Sequence, residues 1–420
     1  MEKLKTLRGF RDIFGDEINT FQHIEHVTRK YCKLLGFAEI AIPVLEKTEL
    51  FVRSIGDTTD IVEKEMFTFI DKGGDSLTLR PEATAGIVRA YLQEGMYAKE
   101  RVSKLFCIGP MFRHEKPQKG RFREFHQIDV EVFGIDDPLV DAELMWMIFL
   151  ILNELGVDSY GIEINSVGCP GCRETFKKVL ISYFETKKNE LCEDCIRRLQ
   201  RNPLRIFDCK NAKCIEVSQK SPFLFDYLCV TCNEHFDMLL KHLEGFGVAY
   251  IINKRLVRGL DYYTKTVFEV TSDKLGAQKA FIAGGRYDNL VEEMGGPSAP
   301  GYGFAIGVER LALLTKMKEL PKQPSYFFAY VGDRAKAYIV PMLRTFVKEG
   351  LSLSYSYEGK SLKSQMRYAD SLHADFVFIL GDEEIGKHII VLRDMRKKIQ
   401  FELPLEPSKL LQEVKKLITQ

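Results

Sequence analysis

The pattern of hydrophobic and polar residues along the chain predicts a mixture of helices and strands. Apolar residues recur every three to four positions in 16–35 and 141–155, which indicates two amphipathic helices. A short strand, a turn and a helix beginning near Pro81 are predicted over 76–92, and a strand, a glycine turn and a helix over 301–314. Segments typical of strands, some with glycine turns, are 37–46, 104–112, 124–133, 160–168, 264–272 and 281–290.

The chain of 420 residues is too long for one hydrophobic core, so two or three domains are expected. The segment KELPKQPS at 318–325 is polar and holds two prolines, which is typical of a linker. Strands and helices alternate beyond it and predict a mixed α/β domain over 326–420. Residues 1–325 form the first domain, and a cysteine-rich insertion at 169–240 interrupts its pattern of strands.

Composition and charge favour a globular protein with local rather than general basic surfaces. The chain is 45% hydrophobic and 28% charged, with a net charge of +1. A uniformly basic nucleic-acid-binding protein is therefore excluded. The N-terminal MEKLKTLRGFRD has no apolar signal core, and the longest apolar run, LMWMIFLIL, is too short for a membrane span. We therefore expect a cytoplasmic protein that does not enter a membrane.

Ten cysteines divide into two classes. Cys32 and Cys107 stand alone among apolar residues, which predicts buried packing. The other eight form close pairs: Cys169 and Cys172, Cys192 and Cys195, Cys209 and Cys214, Cys229 and Cys232. Without a secretory signal, paired cysteines favour metal ligands, and CxxC lets two thiolates reach one tetrahedral Zn²⁺. This spacing is compatible with two sites of four thiolates each, or with one site that leaves spare thiols or takes His235 as a ligand. It is also compatible with cysteines that bind no metal and only pack in a core.

The segment FRHEKPQKGRFREFHQ at 112–127 concentrates five Lys or Arg against two Glu. Pro117 and Gly120 predict a turn between two strands. In the second strand Gln127, Asp129 and Glu131 share one face, opposite Ile128, Val130 and Val132. An exposed strand would show the same alternation. Beside Arg113, however, this polar face suits a substrate that carries an ammonium group next to a phosphate.

Two further segments carry candidate chemistry. In LVRGLDYYTKTVFE at 256–269, Arg258 offers a fixed cation next to Tyr262 and Tyr263. A turn with two half-buried tyrosines and no binding role would show the same sequence pattern. In GYGFAIGVER, glycines precede a predicted helix that carries Arg310, which indicates an anion site. Neither the Walker nor the dinucleotide-binding glycine pattern is present.

These segments together resemble the histidyl-tRNA synthetase family of class II aminoacyl-tRNA synthetases. GFAEIAIPVLE, FRHEKPQKGRFREFHQIDVEVFG and GYGFAIGVERL are similar to motifs 1, 2 and 3, and LVRGLDYYTKTVFE and AGGRYD resemble the two histidine signature peptides. The resemblance implies an α+β fold with an antiparallel sheet of six or more strands flanked by helices. It also implies a homodimer formed through motif 1 and a C-terminal mixed α/β anticodon-binding domain.

The resemblance further implies the substrates and the residues that bind them. Histidine and ATP with Mg²⁺ would give histidyl-adenylate, from which histidine passes to the 3′ end of histidine tRNA. Arg113 would contact the ATP α-phosphate and Arg310 the γ-phosphate, while Arg121 would touch ATP or the tRNA end. Arg258 would stabilise charge at the α-phosphorus. The histidine ligands would be Glu82, Thr84, Gln127 and Glu131 at the α-amino end and Tyr262, Tyr263 and Tyr287 around the imidazole.

Because adenylate formation needs positioning and charge neutralisation rather than a side-chain nucleophile, His114 and His126 are expected to be structural. The paired cysteines occupy the place of the family's insertion domain. The catalytic motifs of the family do not require cysteines or a metal ion in that domain. A regulatory paralogue that binds histidine without charging tRNA is one alternative, but such proteins typically lack the region equivalent to 326–420. A zinc-stabilised nucleic-acid-binding protein is another, but it leaves the polar strand face and the arginines unexplained.

Overall fold

The computed structural model describes residues 3–56, 59, 61–260, 262–276, 278–316, 324–358 and 360–419. The chain divides into two compact units, residues 1–318 and 319–420. Most of the predicted linker at 318–325 lies outside the described residues, which resume at 324.

The first hundred residues form a long helix and a small three-stranded sheet. Phe21, Ile24 and Val27 of the first helix are buried on one side, as its periodicity predicts. The elements are α1 (Asp16–Leu34), β1 (Ala38–Glu39), β2 (Leu45–Lys47), α2 (Thr48–Ile55), β3 (Phe67–Ile70), β4 (Ser76–Leu79), α3 (Thr84–Gln93) and α4 (Met96–Lys99).

Two predictions in this region are wrong in detail. The strand expected over 37–46 is reduced to β1 and the start of β2, because the carbonyl of Ile42 accepts a hydrogen bond from Arg80 and Pro43 has no N–H to donate. The helix expected near Pro81 begins instead at Thr84, where the Glu82 carboxylate accepts the backbone N–H groups of Thr84 and Ala85.

The rest of the first unit supplies the main sheet and the helical insertion. Its elements are β5 (Ser103–Phe112), β6 (Glu124–Phe133), α5 (Pro138–Glu154), β7 (Gly161–Ser166), α6 (Pro170–Glu185), α7 (Glu193–Arg201), α8 (Ala212–Gln219), α9 (Val230–Gly245), β8 (Ile251–Ile252), β9 (Thr264–Thr271), β10 (Ala280–Arg286), α10 (Leu290–Glu293), β11 (Gly301–Gly307) and α11 (Val308–Ala312).

Eight strands form the central sheet in the order β1-β5-β6-β11-β10-β9-β7-β8. The six inner strands are antiparallel, and only the edge pairs β1–β5 and β7–β8 are parallel. Ile128 and Val130 of β6 pack with α1 and α5 in the core. The opposite face of β6 therefore carries Gln127, Asp129 and Glu131. The predicted antiparallel sheet flanked by helices is confirmed.

The second unit has its own sheet, which is mixed as predicted and has the strand order β13-β12-β14-β15-β16. Strands β13 and β14 pair parallel with β12, and β15 and β16 add antiparallel. The elements are β12 (Tyr326–Tyr330), α12 (Asp333–Lys336), α13 (Ile339–Lys348), β13 (Leu353–Tyr355), α14 (Leu362–Ser371), β14 (Phe376–Leu380), α15 (Asp382–Gly386), β15 (Ile389–Asp394), β16 (Gln400–Pro404) and α16 (Pro407–Thr419). Across the described residues of both units, no helix has the length and apolarity needed to cross a bilayer.

Candidate active site

A cavity of about 220 Å³ opens on the polar face of the central sheet. Strands β6, β9, β10 and β11, the hairpin after β5 and the segment before β9 all contribute to its wall. It brings together every site residue predicted from the sequence: Glu82, Thr84, Arg113, Arg121, Gln127, Glu131, Arg258, Tyr262, Tyr263, Tyr287 and Arg310. Residues separated by more than 200 positions in the chain therefore meet at one site.

The carboxylate end of the cavity is a closed network of hydrogen bonds around Glu131. The Thr84 hydroxyl donates to Glu131 Oε1 at 2.6 Å, and the Tyr287 hydroxyl donates to Oε2. Glu82 caps the start of α3 through two backbone amides, at 2.8 and 2.9 Å. Both glutamates are almost completely buried. The network fixes two acidic side chains before any ligand arrives.

Burial disfavours negative charge at this end of the cavity. It raises the pKa of Glu131 to about 8. It also raises the pKa of Glu82, and it raises that of Asp129 well above its ordinary value, with Glu131 and Glu82 adding repulsion there. A ligand that brings a positive charge would offset these costs. The site is therefore suited to a cation such as an ammonium group.

Two glycines of GYGFAIG make room for this network. A Cβ atom at Gly303 would overlap the Glu131 carboxylate, and one at Gly301 would overlap the Tyr287 ring. Both glycines lie inside β11 and not in the strand-to-helix turn expected from the glycine-rich pattern. Residues without a side chain are needed there, because the Glu131 carboxylate and the Tyr287 ring occupy the space beside the strand. Arg310, in the five-residue helix α11, supplies the positive charge expected for an anion site.

Three tyrosines form the neighbouring wall. The ring centroids of Tyr262 and Tyr263 are 4.8 Å apart, and those of Tyr262 and Tyr287 are 5.5 Å apart. All three are buried, and burial raises the pKa of each hydroxyl. They remain neutral, so the wall offers aromatic faces and hydroxyl groups to a planar polar ring.

Four arginines line the cavity, and each has a partner. Arg258 pairs with Glu269, Arg121 with Glu115 at 2.8 Å, and Arg310 donates to the Gln278 carbonyl. Arg113 donates to the Pro81 carbonyl at 2.8 Å. Burial, reinforced by Arg121, lowers the pKa of Arg310 to about 10. The cavity thus presents four guanidinium groups, as a polyanion site requires.

Sequence reasoning missed Glu115 and Glu269, which line the cavity and pair with Arg121 and Arg258. Glu115 stands two residues after Arg113, and Glu269 follows Val267 and precedes Val270 in a strand-like pattern. Nothing in those local patterns links either carboxylate to an arginine. Only the pairing of distant segments reveals them.

The two histidines of the basic hairpin have structural contacts. His126 Nδ1 lies 3.0 Å from Glu309, a bond that raises the pKa of this imidazole, and the His114 ring packs edge-on against Phe67. Neither is among the described residues that line the cavity. Their expected structural role agrees with these positions.

The eight clustered cysteines form two groups of four in the insertion. We call Cys169, Cys172, Cys229 and Cys232 the first thiolate cluster, and Cys192, Cys195, Cys209 and Cys214 the second. Within each cluster all sulfur atoms lie within 4.8 Å of one another. His235 belongs to neither, because its Nε2 lies 3.8 Å from Asp141. Cys32 and Cys107 are buried as predicted.

Residues 9–192 and 225–311 match the profile described as histidyl-tRNA synthetase, and 327–417 match that of an anticodon binding domain. The histidine–tRNA ligase of Geobacter sulfurreducens is 48% identical over 96% of this chain and 97% of its own length. That of Geobacter metallireducens is 47% identical over 97% and 99%. Apo histidyl-tRNA synthetase from S. aureus superposes with a TM-score of 0.80 at 33% identity, covering 96% of this chain and 98% of that structure. The chain belongs to the histidyl-tRNA synthetase family.

Proposed function

We propose that this protein activates histidine with ATP to form histidyl-adenylate and pyrophosphate, and then transfers histidine to the 3′ end of its tRNA. One observation carries the proposal. A single cavity joins a buried carboxylate network to four arginines. Few substrates other than an aminoacyl-adenylate present an ammonium group, a polar ring and a phosphate at such short range.

Histidine would lie at the closed end. Its α-ammonium group would bind Glu131, with Thr84, Gln127 and Glu82 completing the polar wall. The ammonium charge would offset the burial that raises the pKa of Glu131 to about 8. The imidazole would pack among Tyr262, Tyr263 and Tyr287, whose rings already contact one another.

ATP would lie at the open end, entering as its Mg²⁺ complex. Arg113 would bind the α-phosphate and Arg310 the γ-phosphate, while Arg121 of the hairpin is free to change partners from Glu115 to ATP or the tRNA end. Glu115 and Glu269 are carboxylates of the kind that Mg²⁺ accepts together with phosphate oxygens. Histidine attacks with its own carboxylate, so the protein has only to align the reactants and neutralise charge.

Arg258 would stabilise the charge that develops at the α-phosphorus. Histidine-dependent ATP–pyrophosphate exchange tests this role. Arg258→Ala is expected to lower kcat about 10²- to 10³-fold, the usual loss on removing one preorganised donor to a transition state. Histidine binding should survive, since this arginine pairs with Glu269 rather than with the Glu131 network.

The matched control is Lys254→Ala, which removes an exposed cation of the same segment that pairs with Asp226. It should leave exchange within about twofold of the wild type. If the wild-type protein binds histidine but gives no exchange, it is a regulatory histidine-binding protein instead.

We propose that residues 1–325 form the catalytic domain, that its insertion at 169–240 contacts the tRNA acceptor arm, and that residues 326–420 bind the anticodon. A cytoplasmic homodimer through motif 1 completes the proposal. Exposed apolar side chains on the small sheet β2-β4-β3, among them Leu45, Phe69 and Ile70, support an interface there. Sedimentation analysis should give twice the chain mass, and a monomer at micromolar concentration would contradict the dimer.

We also propose that each thiolate cluster binds a structural Zn²⁺. In a tetrahedral site with Zn–S bonds of about 2.3 Å, neighbouring sulfur atoms lie roughly 3.8 Å apart. The Cys169–Cys172 and Cys192–Cys209 sulfur separations are 3.6 and 3.8 Å, far longer than a disulfide bond. Backbone N–H groups donate to Cys172 and Cys214 sulfur, as they do to metal thiolates. The donor set fits zinc.

Metal analysis of protein purified without chelators should give two zinc ions per chain. Cys229→Ser and Cys192→Ser should each remove about one equivalent, because they belong to different clusters. Cys107→Ala, which changes a buried strand cysteine outside both clusters, should remove none. Zinc well below one equivalent in the wild type would contradict the proposal.

A further inference from the structure

Two arginines of the insertion hold the loop that carries the proposed catalytic arginine. We call residues 256–263 the signature loop; position 261 lies outside the described residues. Arg205 Nη2 donates to the Gly259 carbonyl at 2.8 Å, and Arg173 Nη1 donates to the Tyr263 carbonyl at 3.0 Å. The Gly259 carbonyl lies one residue after Arg258, and the Tyr263 carbonyl lies five residues after it. The two acceptors therefore lie on either side of Tyr262 in the chain.

The described part of this loop has no regular secondary structure, so no helix or sheet bonds fix its backbone. At its start, Asn165 of β7 donates to the Leu256 carbonyl at 2.9 Å. Among the described residues, two further side-chain bonds to the loop backbone come from the insertion. Gly259 adds freedom immediately after Arg258, because glycine restricts backbone dihedrals least. The Arg258 side chain pairs with Glu269 of β9, whereas the backbone that follows it is held by anchors outside the sheet.

Each arginine is tied to a different thiolate cluster. Arg173 directly follows Cys172 in α6 and belongs to the same helical turn. Arg205 lies four residues before Cys209, whose N–H bonds back to Ile206 at 3.1 Å. Leu256, Tyr262 and Tyr263 share a hydrophobic cluster with Cys172 and Ile206. The insertion and the signature loop thus form one packed body, with the arginines as its polar links.

We propose that Arg173 and Arg205 are positioning residues for adenylate formation. They fix the backbone of the signature loop and so hold Arg258 and Tyr263 in the cavity. The planar fork of a guanidinium group suits this task, because it directs its donors along fixed lines. The inference rests on the proposed reaction, and it gives the insertion a part in the first chemical step, which takes place without tRNA.

The test is ATP–pyrophosphate exchange without tRNA in Arg173→Met, Arg205→Met and the double variant. Methionine keeps an unbranched chain but donates no hydrogen bond. We expect each single variant to lose about tenfold in kcat and the double variant about 10²-fold, the scale of a misplaced catalytic group. KM for ATP should stay within about threefold, because neither arginine lines the cavity among the described residues.

Arg197→Met is the matched control, since Arg197 is an exposed residue of α7 that pairs with Asp194. Lysine at position 205 (Arg205→Lys) should recover part of the lost kcat, because an ammonium group can still donate to the Gly259 carbonyl. A double variant with kcat within twofold of Arg197→Met would overturn the proposal.

Hydrogen exchange gives a readout that does not depend on activity. Amides of 256–264 should exchange at least about fivefold faster in the double variant, while those of α7 and the zinc content stay as in the wild type. Loss of zinc together with faster exchange throughout the insertion would mean that the arginines only stabilise the insertion, and would overturn the positioning role. If the wild type gives no ATP–pyrophosphate exchange, the proposed function fails. Amide hydrogen exchange in the signature loop then still decides whether Arg173 and Arg205 fix the backbone of this loop.

Discussion

The two ends of the cavity are built in different ways. At the closed end, Glu131 is 2% exposed, and its hydrogen bonds come from Thr84 and Tyr287. At the open end, the side chains of Arg258 and Arg121 are 19% and 35% exposed, and each is paired with a glutamate. At one end Glu131 is hydrogen-bonded and desolvated before substrate binds, whereas at the other end Arg258 and Arg121 are held in ion pairs that solvent reaches.

This difference matches the two ligands. A small zwitterion such as histidine is selected by buried groups, because a ligand lacking a matching charge leaves them unsatisfied. A polyphosphate supplies its own negative charge and can replace weakly held glutamates. Changes at the closed end should therefore be costly and hard to compensate, and changes among the partners at the open end should be mild.

The largest expected effect comes from filling space at the closed end. In Gly303→Ala the new methyl group would overlap the Glu131 carboxylate and the Val130 carbonyl, so the network has to move. We expect at least about a 10²-fold loss in kcat/KM for histidine, the scale of a small misplacement. The free energy of unfolding should fall by about 1–3 kcal/mol, as for other overpacked sites.

Gly161→Ala on β7 is the control, because a Cβ atom there meets its nearest neighbour at 3.7 Å, an ordinary contact distance. Gly161→Ala should leave kcat/KM for histidine and the free energy of unfolding nearly unchanged. Wild-type activity in Gly303→Ala would mean that the closed end adapts easily, and the contrast between the two ends would fail.

The next effect concerns the charge of Glu131. Its folded pKa of about 8 lies above its ordinary value of 4.5, so between these pH values the folded protein holds a proton that the unfolded chain has lost. The stability due to this group is complete below pH about 4.5 and is lost as pH rises through about 8. Glu82 and Asp129 act in the same direction.

Thermal unfolding of the ligand-free protein should therefore show a midpoint that falls from pH 5 to pH 8.5, with a shallower slope in Glu131→Gln. Histidine affinity should fall about 10- to 100-fold in this variant, the value of a charge-assisted hydrogen bond. A wild-type slope in the variant would show that Glu131 is not the titrating group.

The sequence predicted the long regular elements well, because their periodicity is local. The strands expected at 104–112 and 124–133 are observed as Ser103–Phe112 and Glu124–Phe133. The strand expected over 37–46 is mostly absent, because Arg80, which is distant in sequence, takes the carbonyl of Ile42. No local pattern contains that bond.

The members of the site were predictable, but their partners were not. All eleven predicted residues line one cavity. The family resemblance implied the whole set, and the residue patterns by themselves had pointed only to some of it, such as Arg113, Glu131 and Arg258. The purpose of Gly303 and the pairing of Arg258 with Glu269 depend on which strands become neighbours, and β10 and β11 join β6 to β9 only in three dimensions. Sequence identified the chemistry, and the sheet order decided how it is held.

The smallest expected effect is at the open end, in Glu269→Gln. This change removes the carboxylate that pairs with Arg258 and keeps the side-chain shape. A partly exposed ion pair of this kind is worth about 1 kcal/mol or less, so releasing Arg258 should lower KM for ATP by no more than about fivefold. Measured by pyrophosphate exchange, kcat should change little, because the Arg258 guanidinium, which we propose stabilises charge at the α-phosphorus, is still present. A loss of kcat comparable to that of Arg258→Ala would instead show that Glu269 orients the arginine in the transition state, and the open end would then be as preorganised as the closed one.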